Sequence, residues 1–191
     1  MARSKEYDED AVLHKAMKLF WHQGYEKTSM QDLVTQMGIH RRSIYDTFGS
    51  KHALYMKALK RYVETVEANI KKQLTSMDSA MQGIRRLFEM TIHRKETLPS
   101  GCLTVNTAIE LAEHDQEAMD MVMDSFSSTE NMLYELVLRG QKSGEIPERH
   151  DAKKLARFLN NSFVGLRVLA KTRKDTQKME EIIEMTLIAL D

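Results

Sequence analysis

Apolar residues recur at three- and four-residue spacing along almost the whole chain, and only two prolines and eight glycines interrupt 191 residues. Such spacing puts apolar side chains on one face of a helix, and a sequence with so few breakers leaves little room for tight turns between strands. The chain is therefore expected to be all-α. A mass of 22.1 kDa with 42% apolar and 29% charged residues is enough for a substantial core without covalent staples.

The breaks divide the chain into about nine helices. Asp8 opens the first, which carries Val12, Ala16, Leu19 and Phe20 on one side and stops at Gly24. Trp21 and Tyr25 are expected to fill the core and the corner beside that stop. Ser50 caps a long helix, Lys51 to about Leu74, striped by Tyr55, Leu59, Tyr62, Val66 and Ile70. After a break at Ser76 to Ser79, Met81, Ile84, Leu87, Phe88 and Ile92 mark another helix, ended by the Pro99-Ser100-Gly101 loop. Leu103 to Glu113 reads as a short helix. Asp115 caps a long one to about Lys142, and Ser143-Gly144 stops it ahead of Pro147. Asp151 and Asp175 cap the last two.

The stretch from Thr28 to Leu59 carries more than packing. Ser29, with Asp32 three residues on, caps a short helix whose Met30, Leu33, Val34 and Met37 lie on a buried face, and Gly38 ends it. The next segment, Ile39 to Phe48, has only Ile39, Ile44 and Phe48 as apolar anchors. It also carries His40, Arg41, Arg42, Ser43, Tyr45 and Thr47. Two helices joined by a glycine turn, the second rich in hydrogen-bond donors, describe a helix-turn-helix. Its N-terminal residues His40, Arg41, Arg42 and Ser43 are the candidates for base edges, while Thr28 and Ser29 could meet phosphate or act only as caps. Lys51 sits at a helix N-terminus, which favours an anion in its own right. His52 is expected to be solvated.

The run GYEKTSMQDLVTQMGIHRRSIYDTFGSKHALY closely resembles the DNA-binding signature of the TetR family of bacterial transcription regulators, and the resemblance is strong from Val12 to Leu59. It implies that Tyr45 and Lys51 reach phosphate. It also implies a helix-turn-helix head over residues 1–50 on a helical effector-binding and dimerisation body over 51–191, with 51–74 as the connector helix. The implied partners are a double-stranded DNA operator, a second copy of the chain and a small-molecule effector not identified by sequence, with repression as the family default.

The formal net charge is zero, but residues 1–60 hold ten Lys/Arg against seven Asp/Glu. A slightly basic head on an acidic body suits a protein that touches phosphate through one end. The last two helices are apolar over more than one narrow stripe, which fits either a fully packed core or a second partner. The resemblance implies the latter, a four-helix bundle between two copies, with Leu155, Phe158, Leu159, Phe163, Leu166, Ile182, Ile183 and Leu187 as interface candidates.

Fourteen methionines invite an apolar effector site built from Met77, Met81, Met90, Met119, Met121, Met123 and Met132, or simply an adaptable core. Cys102 is the only cysteine, which rules out an internal disulfide and a multi-cysteine metal site. It opens a helix with His93, Arg94 and Lys95 near in sequence. It is either a redox or electrophile sensor or a small apolar residue of the core.

Seven scattered histidines form no HExxH, and no GxSxG, P-loop or dinucleotide fingerprint is present, so neither catalysis nor a cofactor is expected. Glu110, Glu113, His114 and Asp115 read as polar helix-end residues rather than as metal ligands. The polar N-terminus and the lack of an apolar run near 20 residues predict a cytoplasmic protein with no membrane span. The rival reading is an all-helical ligand-binding or interaction protein without DNA-binding activity. Arg41, Arg42, Lys51 and Tyr45 argue against it.

Overall fold

Side-chain caps start seven of the nine helices found among the described residues, each an Asp or Ser accepting backbone N–H groups of the first turn. The computed structural model describes residues 7–93, 97–172 and 175–191, and no strand occurs among them. The helices are α1 (Glu9–Gln23), α2 (Met30–Met37), α3 (Arg41–Phe48), α4 (Lys51–Leu74), α5 (Ala80–Ile92), α6 (Leu103–Glu110), α7 (Gln116–Ser143), α8 (Ala152–Leu169) and α9 (Thr176–Ile188). No helix among the described residues is long and apolar enough to cross a membrane.

One boundary differs from expectation. The sixth helix stops at Glu110 rather than Glu113, because the N–H groups of His114 and Asp115 both donate to the Leu111 carbonyl at 2.9 Å and close a turn. That turn frees Asp115 to cap α7 through Ala118 N–H at 3.0 Å.

Two apolar clusters hold the chain together, and Val66 of α4 packs against both. The first gathers Val12, Ala16 and Phe20 of α1, Leu33 and Met37 of α2, Ile44 and Phe48 of α3, and Leu54 to Tyr62 of α4. It continues into Leu103 and Val105 of α6 and Ala118 of α7, so the head and the near end of the body share a core. The second joins α5, α7, α8 and α9 around Phe88, Phe163, Leu159 and Leu187.

The residues proposed from sequence for a dimer interface divide here. Leu155, Leu159, Phe163, Leu166, Ile183 and Leu187 are buried within the protomer, Ile182 is half-buried, and Phe158 is 43% exposed. The sequence reading placed both faces of these helices in one set. The outward apolar residues are Phe158, already in that set, and Val168 of α8, with Met185 and Ile188 of α9.

Candidate nucleic-acid interface

The head is a small frame that exposes one face of α3. Ile44 and Phe48 turn inward and are buried, and Ile39 ahead of the helix joins them. Gly38, at φ 73°, takes the left-handed conformation that lets α2 stop and α3 leave at an angle. Lys15 of α1 donates to the Met37 carbonyl at 3.3 Å, occupying an orphan acceptor at the end of α2. Tyr7 braces α3 from behind, its hydroxyl 2.5 Å from Thr47 Oγ1 and donating to the Ser43 carbonyl at 3.4 Å.

With its back fixed, α3 presents His40, Arg41, Arg42 and Tyr45 to solvent, while Ser43 is half-buried. The Arg42 side chain is 92% exposed, and among the described residues its ion-pair partner is the exposed Asp46 at 3.6 Å, one turn on. Arg41 lies 5.9 Å above the Tyr45 ring. His40 stands at the N-cap without capping, so the first-turn N–H groups of α3 lack the side-chain acceptor that α2 and α4 have. An uncapped N-terminus flanked by two exposed arginines favours an anion.

The flanking candidates behave differently from one another. Ser29 is exposed and completes a capping box with Asp32, whose carboxyl is held below the usual range chiefly by the Ser29 hydroxyl. Thr28 is fully buried: its hydroxyl donates to the Gly24 carbonyl and its N–H to the Tyr25 carbonyl at 3.2 Å. Both groups are engaged inside the turn, and the N-cap of α2 is Ser29 rather than Thr28. Lys51 is half-buried with Nζ 4.3 Å from the Tyr25 ring centroid, which holds its charge beside the start of α4. His52, expected to be solvated, instead meets Asp115 at 2.6 Å.

That contact belongs to a line of links tying the head to α6 and α7. Tyr25 N–H donates to Glu110 Oε2 at 2.8 Å, made possible by Gly24, where a Cβ would come within 2.1 Å of the same carboxylate. Thr107 donates to the Leu103 carbonyl, so at the 2.8 Å contact Tyr55 donates its hydroxyl to Thr107. Trp21 Nε1 donates to the Gly101 carbonyl at 3.2 Å, and Asn106 Nδ2 donates back to the Trp21 carbonyl at 3.3 Å. Asp115 is held below its usual range first by Ala118 N–H and then by His52. Glu110 and Asp115 are thus engaged in links between elements, more than the helix-end role expected of them. Among the described residues no group of three or more His, Cys, Asp or Glu is placed to hold a metal.

Behind the head, α1, α4, α5 and α8 line a half-open cavity of about 650 Å³. That falls in the usual range for small-molecule sites, about 300–1,000 Å³. Trp21, Tyr62 and Phe163 give it aromatic walls, so Trp21 is a cavity residue as well as a core one. Of the methionines singled out in the sequence, Met90 lines this cavity and Met132 a narrow neighbouring space, and the other lining methionine is Met17. Met119 and Met123 are exposed on α7. Cys102 is 1% exposed and sits at the N-cap of α6 within the first cluster. Arg94 and Lys95, read as its neighbours, lie outside the described residues.

A three-helix head whose second motif helix offers exposed arginines, on a helical body with a cavity, defines a helix-turn-helix DNA-binding regulator. Comparison with known proteins agrees. The family described as "Bacterial regulatory proteins, tetR family" matches residues 12–58, and "Tetracyclin repressor-like, C-terminal domain" matches residues 80–186. The uncharacterized HTH-type transcriptional regulator YezE of Bacillus subtilis (strain 168) is 35% identical over 100% of both chains. The HTH-type transcriptional repressor ComR of Escherichia coli (strain K12) is 32% identical over 97% of this chain and 90% of its own. Among solved structures, a cysteine mutant of the TetR family transcriptional regulator CifR, complexed with 26bp double-strand operator DNA, superposes with a TM-score of 0.89. It is 29% identical and covers 99% of this chain and 100% of that one. The chain belongs to the TetR family of DNA-binding transcription regulators.

Proposed function

We propose that the protein is a homodimeric repressor that grips an inverted-repeat operator with two copies of α3 and lets go when a small molecule fills the cavity behind α4. The observation that carries this reading is the exposed, uncapped N-terminal turn of α3 with Arg41 and Arg42 on it, held rigidly by Ile44, Phe48 and Tyr7. Under this reading His40, Arg41, Arg42 and Ser43 face base edges, whereas Ser29, Tyr45 and Lys51 face phosphate. The ComR repressor and the operator-bound CifR support the same reading by likeness.

Release follows from α4. Its first residue, Lys51, is at the DNA end, and Tyr62 to Gln73 line the cavity. A ligand that fits only one tilt of α4 shifts the population of head spacings, and its leverage equals its difference in affinity for the two states. The proposed division is residues 1–50 as head and 51–191 as effector and dimer body, with 51–74 connecting them. The exposed Phe158, Val168, Met185 and Ile188 give α8 and α9 an outward apolar face suited to a second copy. A cytoplasmic, non-catalytic role belongs to the same proposal.

The reading is tested by measuring affinity for a selected operator and for random duplex at several salt concentrations. Tyr45→Ala weakens binding to both alike, whereas alanine at the base-reading arginine weakens binding to the operator and flattens preference at one position of each half-site. Equal affinity of the wild type for operator and random DNA would refute it.

A further inference from the structure

Arg167 is a buried cation with no ion-pair partner among the described residues. It is 6% exposed, near the C-terminal end of α8, and its guanidinium carbon sits 4.0 Å above the Phe163 ring. Its Nε is buried and unpartnered, and Arg167 makes no hydrogen bond or ion pair with any described residue. Buried charges are ordinarily paired, because an unpaired one forfeits its hydration without recompense. Arg167 lines the 650 Å³ cavity, where no Asp or Glu stands among the described lining residues. Two carboxylates border Arg167 elsewhere, Glu67 in a narrow neighbouring space and Glu110 in a third, more open one, and neither lies within ion-pair distance.

The cavity's other basic groups do not compete for the same role. Arg86 is engaged by Gln73 Oε1 at 3.1 Å and by Glu89 at 3.9 Å. His14 is held below its usual pKa by burial and then by Lys18, so it is present as a neutral donor or acceptor. His93 is at the exposed rim. One fixed, unpaired positive charge among Trp21, Tyr62, Leu87 and Phe163 describes a site for one negative charge on an apolar body.

We propose that the effector is an apolar monocarboxylate whose carboxylate pairs with Arg167 while its tail lies among the aromatic and aliphatic walls of the cavity. The assignment rests on the effector reading above and names its ligand class. The carboxylate supplies the missing hydrogen-bond acceptor, and the Phe163 ring holds the guanidinium plane in place to receive it.

The full-length protein carries its own reporter, since Trp21 is the only tryptophan and lines the cavity. Its fluorescence is followed on titration with dodecanoate, dodecan-1-ol and dodecyltrimethylammonium, all below their aggregation thresholds. The expected result is saturable binding with dodecanoate at least tenfold tighter than the alcohol and the ammonium weakest. Arg167→Gln abolishes that tenfold preference while alcohol binding persists, and Arg167→Lys keeps part of it. Equal affinity for acid and alcohol, tighter binding of the ammonium, a preference that survives Arg167→Gln, or no saturable binding of either tail overturns the assignment. If Arg167→Gln does not fold, the wild-type comparison alone decides. Operator binding is measured in the same samples. Acid preference through Arg167 with unchanged operator affinity upholds the ligand class and overturns the release mechanism, so the two failures are told apart.

Discussion

At the scale of single residues, three arginines carry the proposed recognition, two on the outside of the molecule and one inside. Arg41 and Arg42 are exposed and turned outward, available to bases or phosphates. Arg167 is buried and lines the cavity. A bidentate arginine on guanine is worth about 1–3 kcal/mol of discrimination. Replacing the base-reading member of the Arg41/Arg42 pair by alanine is therefore expected to lower operator affinity roughly tenfold or more per half-site, while affinity for random duplex falls much less. A mobility shift on operator and scrambled duplexes checks this. The exposed arginines were legible in the sequence because a short helix with three apolar anchors and so many donors has little reason to exist as packing alone. Arg167 was not, since an arginine two residues from a helix end reads as solvated until the surrounding helices close over it. The engagement of Thr28 was hidden for the converse reason: Thr beside a capping Ser looks available for phosphate, and only the Gly24 turn brings a carbonyl to its hydroxyl.

At the scale of elements, polar links decide which helices move together. Glu145, beyond the end of α7, accepts hydrogen bonds from the Ser79 hydroxyl and from Ala80 and Met81 N–H at 3.1 Å each. Those donors, the Ser79 hydroxyl foremost, bring its pKa down to about 2. A carboxylate depressed on folding stabilises above its unfolded pKa, and that contribution is lost as pH falls from about 4.5 towards 2. Glu145→Gln is expected to cost about 1 kcal/mol at pH 7, a figure discounted for partial exposure. It should also flatten the acid limb between those pH values, as urea melts across pH would show. Near the head, His52 and Asp115 join α4 to the start of α7. Asp115→Asn keeps an acceptor for Ala118 but removes the charge facing His52, and is expected to increase hydrogen exchange at the N-terminal turns of α4 and α7 with little change in global stability. The sequence disclosed the helices because caps and breaks are local. Partnerships such as Tyr25 with Glu110, or Tyr55 with Thr107, join residues far apart in the chain and leave no local trace.

At the scale of the whole molecule, the proposed repressor works as two copies. One head offers few phosphate contacts, and counterion release scales with their number, so a single copy binds weakly at physiological salt. Doubling the head on a twofold axis supplies both affinity and an inverted-repeat preference. The expected seam is the outward face of α8 and α9. Phe158→Glu with Met185→Glu should give a folded monomer by sedimentation whose operator affinity falls at least a hundredfold. The sequence disclosed that these helices are apolar over more than one narrow stripe, but not which apolar residues face in, because burial of both stripes looks alike until the protomer's own core is known. The most direct test of the central claim is enrichment of random duplex DNA by the purified full-length protein, followed by sequencing. The account predicts one short inverted repeat, with half-sites one helical turn or more apart, that disappears from the Arg41→Ala, Arg42→Ala double variant; recovery of the same unpatterned DNA by wild type and double variant would contradict it.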